Sequence, residues 1–225
     1  MPATADKEQN LLSSLFQTRL VMNEVVRFIL DTSPTKDSLK PLLSDRAFQS
    51  LCEISENAKE LSIAIRSLLR EKDALLKAKQ EFNRLFVGPH SLPAPLWESV
   101  YLGREHLLFD EQTIQVRDCY HNYGLHFVRE NNEPDDHIVV ELEFLSYLTQ
   151  QIFESEEEAS TKMLIEGQAY FLNQHLAKWA PTFCDKLYIA TKLPLYQCTA
   201  QLLQEYIELE QQVANFLIEA MEMNN

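Results

Sequence analysis

The polar residues whose types and spacing are best suited to chemistry form one short cluster: Glu133, Pro134, Asp135, Asp136, His137 and Glu141. Pro134 is typical of the first position of a helix, so the spacing predicts a helix that starts there, with Asp135 and Asp136 in its first turn. Carboxylates at that end complement the helix dipole, and His137 and Glu141, four residues apart, share one face. The cluster is therefore either a charged helix start or an anionic pocket with an imidazole, suited to a guanidinium or ammonium group.

A helical hydrolase or metal-dependent enzyme that uses His137, Glu141 and Asp136 is the alternative interpretation of this cluster. Metal binding is disfavoured because the cluster has a single histidine. His121 and His126 lie five residues apart, without the glutamate of an HExxH motif. There is no GxSxG motif, and no cysteine has a sequence context that would activate it as a nucleophile. We therefore expect no catalytic residue, no metal and no cofactor.

The composition predicts the elements that must position this cluster. The 225 residues include only 4 glycines, and neither GxGxxG nor GxxxxGK is present. An all-β chain uses glycine freely in its turns, and a nucleotide-binding α/β fold needs a glycine-rich phosphate loop. We therefore predict an all-α fold, in which residues 1–225 form a single helical-bundle domain interrupted by one long Pro/Gly/aromatic loop.

Apolar residues three and four positions apart predict where the helices lie. The predicted helices cover about 6–30, a short segment capped by Ser44, 57–87 with a break near Asp73, 113 to Gly124, a helix from Pro134, 157–179, a short helix from Pro181 to Lys192, and a last helix from Pro194 onward.

The predicted loop, residues 88–110, contains two of the 4 glycines and three of the 9 prolines, together with Trp97 and Tyr101. Proline and glycine at this density exclude a continuous helix, and the aromatic residues indicate that the loop is packed. Trp97 and Tyr101 either anchor the loop on the core or line an apolar groove for a peptide. The apolar stripe at 82–86 just before the loop has the same two interpretations.

The charge limits the kinds of partner. The formal net charge of −14 disfavours a nucleic-acid binder and favours a cationic partner, although it also serves solubility. The first ten residues are polar, no run of 18 apolar residues occurs, and the 4 cysteines form no CxxC pair. We expect a cytoplasmic protein with reduced cysteines and no membrane insertion.

Several separate segments, in the same order, carry a resemblance to a known family. They are 82–89 (FNRLFVGP), 92–102 (LPAPLWESVYL), 107–109 (LLF), 132–138 (NEPDDHI) and 141–144 (ELEF), with a weaker pattern at His175, Trp179, Pro181, Phe183 and Leu187. This chain resembles the TorD/DmsD family of maturation chaperones for molybdenum-containing oxidoreductases, and its loop is most similar to the DmsD branch. Phe82 and Tyr101 depart from that branch, where tryptophan is frequent at both positions.

The resemblance implies a helical, non-enzymatic protein that binds the twin-arginine signal peptide of a precursor in the cytoplasm. Such a protein delays export until the molybdopterin cofactor is loaded. The implied clients are reductases of the dimethyl sulfoxide or trimethylamine N-oxide type, or formate dehydrogenase. Carried over by position, the implied peptide-binding residues are Phe82, Leu85, Phe86, Pro95, Trp97, Ser99, Tyr101, Glu133, Pro134, Asp136, His137 and Glu141.

The resemblance and the residue chemistry agree, because a twin-arginine peptide has a basic segment followed by an apolar one. We expect Asp136 to accept a hydrogen bond from a guanidinium, and His137 to orient the site or contact the peptide backbone. The polar connection Arg129–Asn132 could act as a hinge, which would allow a swapped dimer of an otherwise monomeric protein. A structural helical oligomerisation module remains the third interpretation.

Overall fold

The computed structural model describes residues 2–104, 108–130 and 133–223, and their side chains from residue 12 onward. Within these ranges the chain is all-α, as predicted, and it contains no β-sheet. The α-helices are α1 (Pro2–Asp31), α2 (Lys36–Ser44), α3 (Arg46–Ile54), α4 (Glu56–Arg70), α5 (Ala74–Phe82), α6 (Glu98–Leu102), α7 (Glu111–His121), α8 (Ile138–Glu154), α9 (Glu158–Phe171), α10 (Ala177–Ala190) and α11 (Pro194–Met223). Two π-helical segments follow α5 and α9, at Asn83–Val87 and Leu172–Leu176.

The last helix, α11, lies at the centre of the bundle and packs against α1, α4, α9 and α10. Its apolar residues Leu195, Leu202 and Tyr206 are buried in the core, whereas Phe216 near its C-terminal end is exposed. α1 also packs against α8, so the first and last helices both support the helix that follows the acidic cluster. None of the described helices is long and apolar enough to cross a membrane.

A buried polar group joins four of these helices. Arg19 on α1 pairs with Glu210 on α11, and the guanidinium Nε and Nη2 each lie 2.7 Å from a carboxylate oxygen. Arg19 Nη2 also donates to Gln168 on α9 and Thr149 on α8. Because both charges are withdrawn from solvent, removing either partner would cost about 3–5 kcal/mol. The pair therefore specifies how α1 and α11 meet.

Most predicted helix boundaries lie within about two residues of the observed ones, a difference without structural meaning. The predicted break near Asp73 is confirmed, since Asp73 has a left-handed backbone with φ of 63° before α5. Gly124 has the predicted positive φ, 69°. Helix α2 was not predicted, and Asp45 caps α3 through a bond from Phe48 N in place of Ser44.

The predicted helix start at Pro134 is wrong. Helix α8 begins at Ile138, and His137 is its N-cap. His137 has an extended backbone, and Asp135 and Asp136 form a turn before it. Glu98 N donates to Asp136 O (3.0 Å), and Ile138 N donates to Leu96 O (2.8 Å). Backbone groups that are paired across to another segment cannot form the first turn of a helix.

The predicted helix start at Pro181 is also wrong, because Pro181 lies inside α10. It is close to the N-terminal end of that helix, where the missing N–H removes only one intrahelical hydrogen bond. The π-helical segment Leu172–Leu176 divides the predicted helix 157–179 into α9 and α10.

Candidate functional site

An isolated antiparallel bridge between Trp97 and His137 organises the candidate site. It fastens the loop that follows the first π-helical segment to the residues that precede α8. The indole of Trp97 and the imidazole of His137 meet edge to face, with ring centroids 5.2 Å apart. Two segments that the sequence analysis singled out separately are therefore neighbours. Residues 105–107, within the predicted loop, lie outside the described residues.

Asp136 connects this bridge to two neighbouring helices through its side chain. Its side chain is 0% exposed, and its two oxygens accept hydrogen bonds from Ser99 N (2.7 Å) and Thr113 Oγ1 (2.6 Å). The first bond caps α6 and the second reaches α7, so Asp136 joins both helices to the start of α8. Asp136 is not among the residues that line the cavity described below, and its direct contact with a guanidinium stays a prediction.

Asp135 is buried in the same way. Its Oδ2 accepts hydrogen bonds from Arg117 Nη2 (2.7 Å) and Nε (3.2 Å), and its backbone carbonyl accepts one from Tyr120 OH. The hydrogen bond with Asp135 raises the pKa of Arg117. The predicted placement of both acids in the first turn of a helix is therefore wrong, because α8 begins at Ile138. The carboxylates of Asp135 and Asp136 both accept hydrogen bonds from other residues of the protein.

A surface cavity of about 530 Å³ lies beside the bridge. The end of α1, the first π-helical segment, the loop and the start of α8 enclose it. Six of the predicted site residues line it: Phe82, Phe86, Trp97, Glu133, Pro134 and His137. Phe82 and Phe86 of the apolar stripe are buried in the core and also line the cavity, so the two interpretations of the stripe are compatible. π-Helical segments of this kind are frequent at functional sites.

Three acidic side chains and one basic side chain, Arg129, line this cavity, and Glu133 is the only predicted site residue among the acids. Glu133 pairs with Arg129 at 2.6 Å, and Glu143 lies 3.4 Å from Arg27. Asp31, at the end of α1, lines the cavity without an ion pair to any described side chain. Asp31 lies about 100 residues before the acidic cluster in the sequence, and no local pattern connects the two. Sequence reasoning missed Asp31 for that reason.

His137 presents a defined hydrogen-bonding edge to the cavity. Its Nδ1 accepts a hydrogen bond from Val139 N at 3.2 Å, and burial lowers the pKa of His137 to about 4. The imidazole is therefore neutral at pH 7, and a neutral ring whose Nδ1 is an acceptor carries its proton on Nε2. Nε2–H is thus a donor, suited to a carbonyl oxygen.

Glu141 does not share a face with His137. It is fully buried, and its Oε2 accepts a hydrogen bond from Trp179 Nε1 at 3.2 Å. Burial, together with the nearby charge of Glu98, raises the pKa of Glu141 well above its usual range. Asp136 and Glu141 are thus engaged inside the fold while His137 faces the cavity, so the three residues of the alternative enzymatic site do not converge.

Behind the loop lies a buried group that the sequence analysis did not identify. Glu98 Oε1 on α6 lies 3.1 Å from His175 Nδ1, and His175 Nε2 lies 3.7 Å from Cys119 Sγ. The order thiol, imidazole, carboxylate resembles a nucleophilic triad. However, burial raises the pKa of Cys119 to about 11, so this sulfur is a thiol and a poor nucleophile.

The remaining predicted residues support the cavity from behind. Tyr101 donates a hydrogen bond to Pro95 O (2.9 Å), and its ring packs on Trp179 with a centroid distance of 5.1 Å. Leu85 and Ser99 are buried. These residues fix the loop, so they belong to the support of the site and not to its lining.

A second, apolar pocket of about 300 Å³ adjoins the cavity. The two share Phe127, Val140 and Glu143, so their linings are continuous. Leu125, Phe144 and Tyr147 line the apolar pocket, and Val128 at its rim is 97% exposed. An acidic and aromatic cavity that continues into an apolar pocket can hold an extended ligand with a basic part and an apolar part.

The fold is similar to that of a crystal structure from Archaeoglobus fulgidus that is described as a redox enzyme maturation protein, with a TM-score of 0.52 and 20% identity, covering 83% of this chain and 93% of that one. Residues 51–185, more than half of the chain, match the family model described as nitrate reductase delta subunit. The chain belongs to this family.

Among the curated relatives is the chaperone protein TorD of Vibrio cholerae, 26% identical over 208 residues that cover 92% of this chain and 90% of TorD. Another is the Tat proofreading chaperone DmsD of Salmonella typhi, 34% identical over 123 residues that cover 55% of each chain. These relatives are named as chaperones and not as enzymes. The predicted membership of the TorD/DmsD chaperone family is confirmed.

Proposed function

We propose that this chain is a chaperone that binds the twin-arginine signal peptide of a molybdoenzyme precursor and delays export until the cofactor is loaded. The observation that carries the proposal is the acidic and aromatic cavity, which continues into an apolar pocket through Phe127 and Val140. A twin-arginine peptide has the matching order, a basic segment and then an apolar one. The relatives named as chaperones support the same activity.

The acidic residues at the cavity take the arginines in this proposal. Asp31 is the primary acceptor because no described side chain pairs with it, and Glu133 and Glu143 exchange their partners Arg129 and Arg27 for the ligand. Guanidinium–carboxylate bonds are charge-assisted and can be bidentate, which favours arginine over lysine. Trp97, Phe82 and Phe86 form the aromatic wall.

The other predicted residues position this lining. Asp136 holds α6 and α7 against the bridge, so its effect on binding is indirect. His137 donates Nε2–H to a carbonyl oxygen of the peptide backbone. Pro134 lines the cavity, and the residues with a supporting role are Leu85, Pro95, Ser99, Tyr101 and Glu141.

Calorimetric titration of a synthetic twin-arginine leader tests the proposal. The wild type should bind, and the double variant Asp31→Asn/Glu133→Gln should bind roughly tenfold more weakly, a loss of about 1.4 kcal/mol. Glu60→Gln is the matched control, because Glu60 is an exposed acid on α4 that lines neither the cavity nor the apolar pocket. Equal affinity for the leader in all three proteins would overturn the proposed contact.

The client is identified by co-purification from anaerobically grown source cells. A precursor of the dimethyl sulfoxide or trimethylamine N-oxide reductase type, or of formate dehydrogenase, is expected by mass spectrometry, and a precursor without its leader should not be retained. We expect a monomeric chaperone. A swapped dimer would need a hinge at 129–132, of which residues 131 and 132 lie outside the described residues.

A further inference from the structure

Three potential metal ligands meet at the end of α7, where Arg117 lies between Glu130 and the buried Asp135. Glu130 Oε2 lies 3.1 Å from His121 Nε2 and 3.5 Å from His126 Nδ1. All three ligand atoms lie within 4.8 Å of one another. The sequence predicts no metal site, because the acidic cluster has a single histidine and His121 and His126 lack the glutamate of an HExxH motif. The turn after α7 supplies a carboxylate from outside that motif.

The spacing fits a tetrahedral cation. Zinc–nitrogen and zinc–oxygen bonds of about 2.0–2.1 Å place adjacent ligand atoms about 3.3 Å apart. The two distances to Glu130 lie on either side of that value. Rotation of the imidazole rings can bring His121 Nε2 and His126 Nδ1 to the same separation. Both histidines can rotate, because their side chains are 35% and 68% exposed.

The surroundings prepare these side chains for a cation. Arg117 Nε lies 3.8 Å from the other oxygen, Glu130 Oε1, and leaves Oε2 directed at the imidazoles. Two imidazole nitrogens and one carboxylate oxygen are a donor set typical of zinc.

We propose that His121, His126 and Glu130 bind a divalent transition cation of the zinc class, with water in the remaining coordination position. The cation would join the last turn of α7 to residues 126–130. Phe127, which lines both the cavity and the apolar pocket, lies between two of the ligands. Occupancy would therefore fix the conformation of one wall of the proposed peptide site.

Calorimetric titration of ZnCl₂ into the reduced, untagged chain tests the site. The wild type should bind one equivalent, and His126→Ala and Glu130→Gln should each weaken the affinity at least about tenfold, since even the loss of an outer-shell partner costs that much. His90→Ala is the matched control, because His90 is exposed and outside the cluster. In Co²⁺-loaded protein we expect no sulfur-to-metal charge-transfer band.

Thermal unfolding separates a lost site from a misfolded variant. Without zinc, His126→Ala should melt like the wild type, because its side chain is largely exposed. With zinc, the melting temperature should rise for the wild type and His90→Ala only, since a ligand stabilises the state that binds it. Unchanged zinc affinity in His126→Ala, or a thiolate band with Co²⁺, would overturn the proposal. Leader affinity measured without metal tests the peptide site separately.

Discussion

His137 combines two roles, as the N-cap of α8 and as a donor to the cavity, and a substitution can separate them. Its pKa of about 4 lies below the ordinary value of 6.5, so the unfolded chain binds more protons between these values. The free energy of unfolding should therefore fall as the pH is lowered from about 6.5 to about 4. His137→Asn keeps an N-cap side chain but does not titrate.

Urea unfolding at pH 7 and pH 5 measures this effect. The wild type should lose more stability than His137→Asn between the two values, whereas both should be similarly stable at pH 7. An identical loss in both proteins would mean that the imidazole of His137 is not the group that titrates.

Trp97 tests the aromatic wall at the same scale. Trp97→Ala should weaken leader binding by about 1–3 kcal/mol, the range of an interface anchor. Because Trp97 also packs on His137, the melting temperature of Trp97→Ala must be compared with that of Trp97→Phe, which keeps an aromatic ring. Wild-type affinity in a stably folded Trp97→Ala protein would remove this residue from the site.

At the scale of elements, Asp136 is the junction of α6, α7 and the residues before α8. Asp136→Asn replaces one acceptor oxygen by a donor, so one of its two buried hydrogen bonds is lost, at a cost of about 1–3 kcal/mol. Asp118→Asn, at an exposed position on α7, should change stability by less than about 0.5 kcal/mol. Chemical denaturation checks both values.

The leader affinity of Asp136→Asn should fall together with its stability, because the bridge that presents Trp97 and His137 loosens. A variant that loses affinity but remains as stable as the wild type would indicate direct contact with the peptide, as the sequence analysis expected.

Helix positions were predictable because periodic apolar residues and turn residues act locally. The break at Asp73 and the start at Pro194 are of this kind. The start of α8 was not predictable, because hydrogen bonds with residues 96–98, some forty positions earlier in the chain, override the preference of Pro134. The same limit applies to Asp31, which only the folded chain brings to the cavity.

At the scale of the whole molecule, the formal net charge of −14 acts on any basic ligand. Leader affinity should fall as salt is raised, since exposed charge pairs are screened, but it should not vanish, because the apolar pocket is insensitive to screening. Titrations at low and high salt measure this dependence for the natural leader and for a leader with both arginines changed to glutamine. Parallel salt dependences of the two leaders would exclude an electrostatic role for the cavity.

The ion pair between Arg19 and Glu210 has a consequence for the biosynthesis of the protein itself. The two residues are separated by 191 positions, so the arginine is translated long before its partner exists. At about 5–20 residues per second, Glu210 is synthesised roughly 10–40 s after Arg19, so Arg19 lacks its ion-pair partner for that time. Native packing of the bundle is therefore completed only late in translation. A nascent chain arrested before α11 should remain sensitive to protease.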